Sequence, residues 1–134
     1  MTIEVPDDAL VIRGSDVHDP ANELRMQGQA QVSYDIGEGY ALSVFVGYDP
    51  AASREALMEA IASVQPVPNS LVCVTTAGTL RAKGFTLEVD EGDLLPAHAN
   101  VVLGEELSPA RVRQFIEAFG PAEPNPARAK WRPA

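Results

Sequence analysis

Leu10-Val11-Ile12-Arg13-Gly14 is the stretch on which the reading of this chain turns. Three consecutive branched aliphatic residues suit a strand covered on both faces, as a central strand is. The strand is read over residues 9–14 and ends on a guanidinium and a glycine. A guanidinium at the end of an apolar strand must be solvated, paired or bound to something. Two partners suit Arg13: an acidic neighbour in this carboxylate-rich chain, or an anionic ligand such as a phosphate, which its planar fork matches. Gly14 beside it allows close approach to the backbone.

Working outward, Asp19-Pro20 signals a helix start, with Asp as cap and Pro in the first turn. The helix is expected through Ala21, Leu24 and Met26, fraying near Gly28. Residues 33–40 read as a loop, and residues 40–47 as a second strand containing Leu42-Ser43-Val44-Phe45-Val46. Asp49-Pro50 repeats the capping signal ahead of a helix with Leu57, Ile61 and Val64 on one face. Residues 65–69 end it. Residues 71–74 form a third, buried strand. Residues 76–82 form a short helix stopped by Gly84 as a left-handed cap. Residues 85–89 alternate as a half-buried strand does. An acidic loop leads to the strand His98-Ala99-Asn100-Val101-Val102-Leu103.

The last helix has the clearest signals. Ser108 caps it, Pro109 starts it, and Leu107 and Val112 are placed for a hydrophobic staple. Val112, Phe115, Ile116 and Phe119 share one face, and Gly120 ends it. The pattern predicts an α+β protein: one small domain with a bent or split sheet of short strands and three to four helices. Residues 1–8 are a polar lead-in, 9–120 the domain, and 121–134 a Pro-rich basic tail. With Pro121, Pro124, Pro126 and Pro133, the tail is expected to form no helix or strand of its own. Trp131 is the residue in it able to anchor on a groove.

The chain has 134 residues, 46% of them hydrophobic, which is enough for a core without disulfides or metal. Its net charge of −9 argues against binding nucleic acid through phosphates. An acidic surface serves solubility or a basic partner. Cys73, the single cysteine, lies in an apolar run and reads as a buried thiol. The acidic N-terminus lacks the basic region of a signal peptide, and no segment has the length of a membrane span, so a cytoplasmic location is expected. There is no phosphate-binding Gly-Lys-Ser/Thr loop, no G-x-S-x-G elbow and no His pair at helical spacing.

Ser43 reads either as a solvent-facing strand residue or as a hydroxyl that positions a ligand. His98 reads as a surface histidine or as a group titrating near neutrality at a site. Tyr34, Tyr40 and Tyr48 bracket the second strand as core or edge residues.

In their order, Ile12-Arg13-Gly14, Ser43-Val44-Phe45, Gly78-Thr79-Leu80-Arg81, Gly84-Phe85, His98 and the closing amphipathic helix resemble the ADP-ribosyltransferase-like fold. The resemblance is to its compact bacterial toxin form, found among type VI effectors and toxin–antitoxin toxins, and spans roughly residues 10–119. It implies an intracellular toxin that modifies a macromolecule or consumes NAD and is neutralised by a cognate antitoxin or immunity protein. It further implies that Arg13, Ser43 and His98 are the catalytic set, that Arg13, Gly14, Ser43 and Tyr40 contact the NAD, and that no metal is needed. Such transferases carry a Glu that stabilises the ribose cation. Glu88, Glu105 and Glu106 are the candidates, and none sits in the family's usual motif. A non-enzymatic interaction module, or an antitoxin or immunity protein, is the alternative.

Overall fold

A computed structural model describes residues 4–62, 64, 69–89, 95–104 and 109–132. Among the described residues, six strands form one curled antiparallel sheet: β1 (Leu10–Gly14), β2 (Tyr40–Gly47), β3 (Leu71–Thr76), β4 (Thr86–Val89), β5 (Ala97–Gly104) and β6 (Glu123–Pro124). Their order across the sheet is β4-β5-β2-β1-β3-β6. Five helices accompany them among the described residues: α1 (Pro20–Asp35), α2 (Arg54–Ala62), α3 (Ala77–Ala82), α4 (Pro109–Glu117) and α5 (Pro126–Lys130). The α+β class is therefore as the sequence predicts, with one curled sheet and more helices than expected.

The period-two alternation of the strands sorts the apolar residues into two cores. Leu42, Val44 and Val46 of β2 join Val11, Cys73, Ala99 and Val101 under α1, α3 and α4. Ile12, Val72, Phe45 and Val74 point to the other face, where Met58 and Ile61 of α2 cover them. This is why β1 reads as a continuous apolar run: it is central, and both of its faces are packed. Beyond Phe45 the second face stays partly open, with Ser43, Thr86 and Glu88 exposed and His98, Asn100 and Val102 half-buried.

Helix α1 extends to Asp35, beyond the fraying expected near Gly28. Met26 and Ala30 are its buried residues, and packing of that short stripe outweighs the cost of about 1 kcal/mol for a helical glycine. Space beside Gly28 is open. Gly37 and Gly39, both at positive φ, carry the turn into β2. At α2 the Asp49-Pro50 signal makes a turn, with Asp49 Oδ1 accepting from Ala51 N at 2.9 Å. The helix starts later, where Ser53 Oγ accepts from Ala56 N. Ile61 is buried, but Val64 is not on the buried face, and Met58 takes that role. Thr76 caps α3, and Gly84 at φ 85° ends it in the left-handed conformation, as expected.

Val112, Phe115 and Phe119 of the last helical segment are buried as the periodicity predicts, with Ile116 partly buried against them. Arg111 lies with its guanidinium 4.1 Å from the Phe85 ring centroid and donates to Leu103 O and Lys83 O. It pins α4 to β5 and to the end of α3. The capping and staple expectations for Ser108 and Leu107 lie outside the described residues.

The tail departs from expectation. It contributes β6 and α5, and Asn125 is buried. Asn125 N donates to Ser70 O, its Nδ2 to Asn69 O, and its Oδ1 accepts from Ala127 N. Prolines do not prevent this, because Pro124 sits on an outermost strand and Pro126 at a helix start, where a missing N–H is harmless. Glu123 makes two hydrogen bonds with Arg54, at 2.7 and 2.9 Å, and these hold the Glu123 carboxyl below its ordinary range. The folded state thus binds that proton less readily than the unfolded chain. The gain is fully present above the unfolded carboxyl's pKa of about 4.3 and is lost as pH falls through the lowered folded value. Arg54 is exposed and Glu123 is half-buried at the surface, so Glu123→Gln is expected to cost under about 1 kcal/mol at neutral pH. Urea melts of the two proteins should converge in acid.

Candidate functional site

The antiparallel ladder between β1 and β2 runs from Leu10↔Gly47 to Ile12↔Phe45 and then stops. β1 continues against β3 as far as Gly14↔Val72, so the two neighbours of β1 are used to different lengths. Continued, the β1–β2 register would bring Gly14 opposite Ser43. Instead the Arg13 guanidinium enters the seam. Its Nη1 donates to Ser43 O at 2.7 Å and its Nη2 to Gln29 Oε1 at 2.6 Å. A side chain thus replaces a ladder bond and ties β1, β2 and α1 together.

Arg13 has no carboxylate partner among the described residues. The ion pairs there are Arg54–Glu123, Arg81–Asp7, Arg113–Glu23 and Lys130–Glu59. Burial pushes its guanidinium down to about 10, and it stays cationic at neutral pH. The acidic-partner reading of Arg13 therefore gives way to a cation held by neutral oxygens. Such a group retains unspent donors, since guanidinium has five N–H and two are used here.

A hollow of about 280 Å³ opens above this seam. Arg13, Ser43, Asn100, Gln29 and Glu38 line it, and Val32, Ser33 and Ile36 of α1 and its cap form one wall. Ser43 is exposed, with Asn100 opposite it on β5 and Glu88 opposite Asn100 on β4. Directly opposed residues in antiparallel strands project to the same side. Ser43, Asn100 and Glu88 therefore form one polar row across three strands, roughly 10 Å from end to end.

The structure brings Arg13 and Ser43 together. His98 lies on the same face as Ser43, two pairs along the ladder, opposite Phe45. Its ring meets the Phe45 ring edge-on, with centroids 5.5 Å apart, and it is not among the residues lining the hollow. Tyr40 is buried in the larger core and stacks on Tyr34, with centroids 4.3 Å apart and planes 7° apart. It too is outside the hollow's wall. Gly14 is needed for a neighbour: a Cβ there would lie 1.6 Å from Asn69 Nδ2 and 2.7 Å from its Cγ. Gly14→Ala is expected to destabilise by about 1–3 kcal/mol through overpacking. In an Asn69→Ala background, where the nearest remaining atom is Asn69 Cβ at 3.5 Å, most of that cost should vanish. A double-mutant cycle in urea measures the coupling.

Glu38, Gln29 and Asn100 were not legible as site residues. Glu38 sits in a Gly-rich turn and reads as loop, while Gln29 lies past the expected end of α1. Asn100 is one polar residue in a strand; only its pairing with Ser43 gives it a place. Glu105 and Glu106 lie outside the described residues. Cys73 is buried, and its thiol is shifted up chiefly by burial, which suits a core residue. Among the described residues no cluster of three potential metal ligands occurs, and no helix is long and apolar enough to cross a membrane. No family model, curated protein or solved structure matches the chain.

Proposed function

We propose that the hollow over Arg13 and Ser43 binds the phosphate-bearing part of a nicotinamide dinucleotide. On this reading the protein is a toxin of ADP-ribosyltransferase type, acting inside cells and neutralised by a cognate antitoxin or immunity protein. The observation that carries the reading is Arg13. It is a half-buried cation with neutral partners and unspent donors, at the end of the first strand, within 2.7 Å of the Ser43 carbonyl. A phosphate oxygen is the ligand that best satisfies such a group.

Ser43 and Asn100 would contact the sugar from the sheet face. The carboxylate that stabilises a developing ribose cation would be Glu38, in the wall of the hollow, or Glu88, at the far end of the polar row. His98, beside this row, would need to turn from Phe45 to reach the ligand. Transfer of ADP-ribose, or hydrolysis of the dinucleotide, releases nicotinamide and requires no metal.

A second reading is favoured by α1 and its cap. Val32 is 60% exposed and Ile36 66% exposed, and both border the hollow. An apolar rim of this kind suits a non-enzymatic module that docks a partner.

Tightly induced expression in bacteria tests the choice. The wild-type chain is expected to arrest growth, and Arg13→Ala to relieve the arrest while accumulating as a folded protein. In vitro, NAD should bind the wild type and not the variant, as read by calorimetry. A wild type that is harmless at high expression removes the toxin reading, and a folded Arg13→Ala protein of equal toxicity removes the hollow from it.

A further inference from the structure

A second hollow, of about 180 Å³, lies beside Arg13 and Gln29, walled also by Ser15, Asp16, Asn22 and Arg25. We infer that it is a site for one phosphate group, held between Arg13 and Arg25 and separate from the contacts made by Ser43. The chain has 19 acidic and 10 basic residues, so two guanidiniums sharing a cavity without an ion pair to a described residue run against its composition.

Arg25 reaches a neutral partner, Asn22 Oδ1, over a long 3.3 Å. Asn22 Nδ2 is spent on Asp16 O at 2.7 Å, so Asn22 is fixed in place and turns its oxygen to Arg25. Asp16 is the acid in the wall. Its Oδ1 accepts from His18 N at 2.9 Å, which directs the carboxylate along its own loop. The wall keeps one net positive charge. Ser15, held at φ 77° with its N–H on Leu71 O, lines the same cavity.

At about 180 Å³ the cavity is smaller than the neighbouring hollow of about 280 Å³, and its size suits a single tetrahedral oxyanion. Two guanidiniums give the directed N–H donors that phosphate oxygens accept. Nothing here depends on the dinucleotide reading, though Arg13 borders both hollows and a ligand with a second phosphate would reach each of them.

The test is a titration of the full chain with inorganic phosphate at constant ionic strength, read by the side-chain Nε–H signals of Arg13 and Arg25 in ¹⁵N NMR. Saturable shifts of both signals are expected, with a raised thermal midpoint that chloride does not reproduce. Arg25→Ala, at an exposed position, should stay folded and weaken phosphate binding by about tenfold or more, and Arg25→Lys should lie between. Ser43→Phe, which fills the neighbouring hollow, should leave phosphate binding intact while removing NAD binding. Phosphate binding without NAD binding overturns the dinucleotide reading alone. Absence of saturable shifts, or equal binding by wild type and Arg25→Ala, overturns the phosphate site alone.

Discussion

Phe115→Ala should leave the chain without a cooperative fold, or close to that limit, in thermal and urea denaturation. Phe115 is fully buried between two other rings, 6.3 Å from the centroid of Phe85 and 4.9 Å from that of Phe119. Removing a buried Phe costs about 3–5 kcal/mol, from lost transfer energy plus the cavity left behind. Small domains have about 5–15 kcal/mol in total. Arg111 adds to the local cost, because its cation–π contact is with Phe85, which would lose its packing partner. Soluble yield, the denaturant midpoint and near-ultraviolet circular dichroism check this. A variant with wild-type stability would show that the α4 face does not hold the core, and the packing described above would be wrong. Any loss of toxicity in this variant would reflect unfolding, which separates it from Arg13→Ala.

Truncation after Gly120 should lower the thermal midpoint clearly. The tail supplies the strand pairs Leu71↔Pro124 and Val72↔Glu123, which cover the β3 edge. It also supplies the buried Asn125 with its three hydrogen bonds. Net hydrogen-bond contributions are about 1 kcal/mol each and more when a buried partner is left unpaired. The ion pairs of Glu123 with Arg54 and Lys130 with Glu59 add little, since the cation of each is exposed at the surface. A total loss of about 2–4 kcal/mol corresponds to roughly 8–16 °C in a domain of this size. Asn125→Ala in the full-length chain should reproduce about 1–2 kcal/mol of it, as loss of a capping Asn does elsewhere. An unchanged midpoint after truncation would mean that β6 and α5 are bystanders. Trp131 is half-buried with Arg128 over its ring at 5.0 Å, so it packs locally within the tail.

Elements with strong periodicity or strong punctuation were legible. The apolar run of β1, the alternation of β4, the cap and stop of α3, and the Val112–Phe115 face of α4, continued by Phe119 just beyond it, all arise from nearest-neighbour chemistry. The sequence predicts a shorter α1 because its buried stripe is just Met26 and Ala30, and a helix that thin is recognisable once β2 is known to lie beneath it. The sequence predicts too early a start for α2 for a related reason. Asp49-Pro50 and Ser53 are both good caps, and the position of Met58 and Ile61 over Ile12 and Val72 selects the second.

By itself the sequence determined which residues could be strand, which helices were amphipathic, and that an arginine stood at the end of the first strand with a serine in the second. It could not place them relative to one another. That Arg13 meets Ser43 follows from a ladder that stops at Ile12↔Phe45 and leaves a carbonyl for the guanidinium to bind. That Asn100 and Glu88 share a row with Ser43 follows from cross-strand register, which depends on contacts dozens of residues apart. The same register places His98 against Phe45, and packing against Tyr34 takes Tyr40 out of the site. Local propensity is a property of a few neighbouring residues, whereas the convergence of side chains on a hollow is a property of the packed sheet. Only the tertiary structure, which joins two cores across one antiparallel sheet, could decide it.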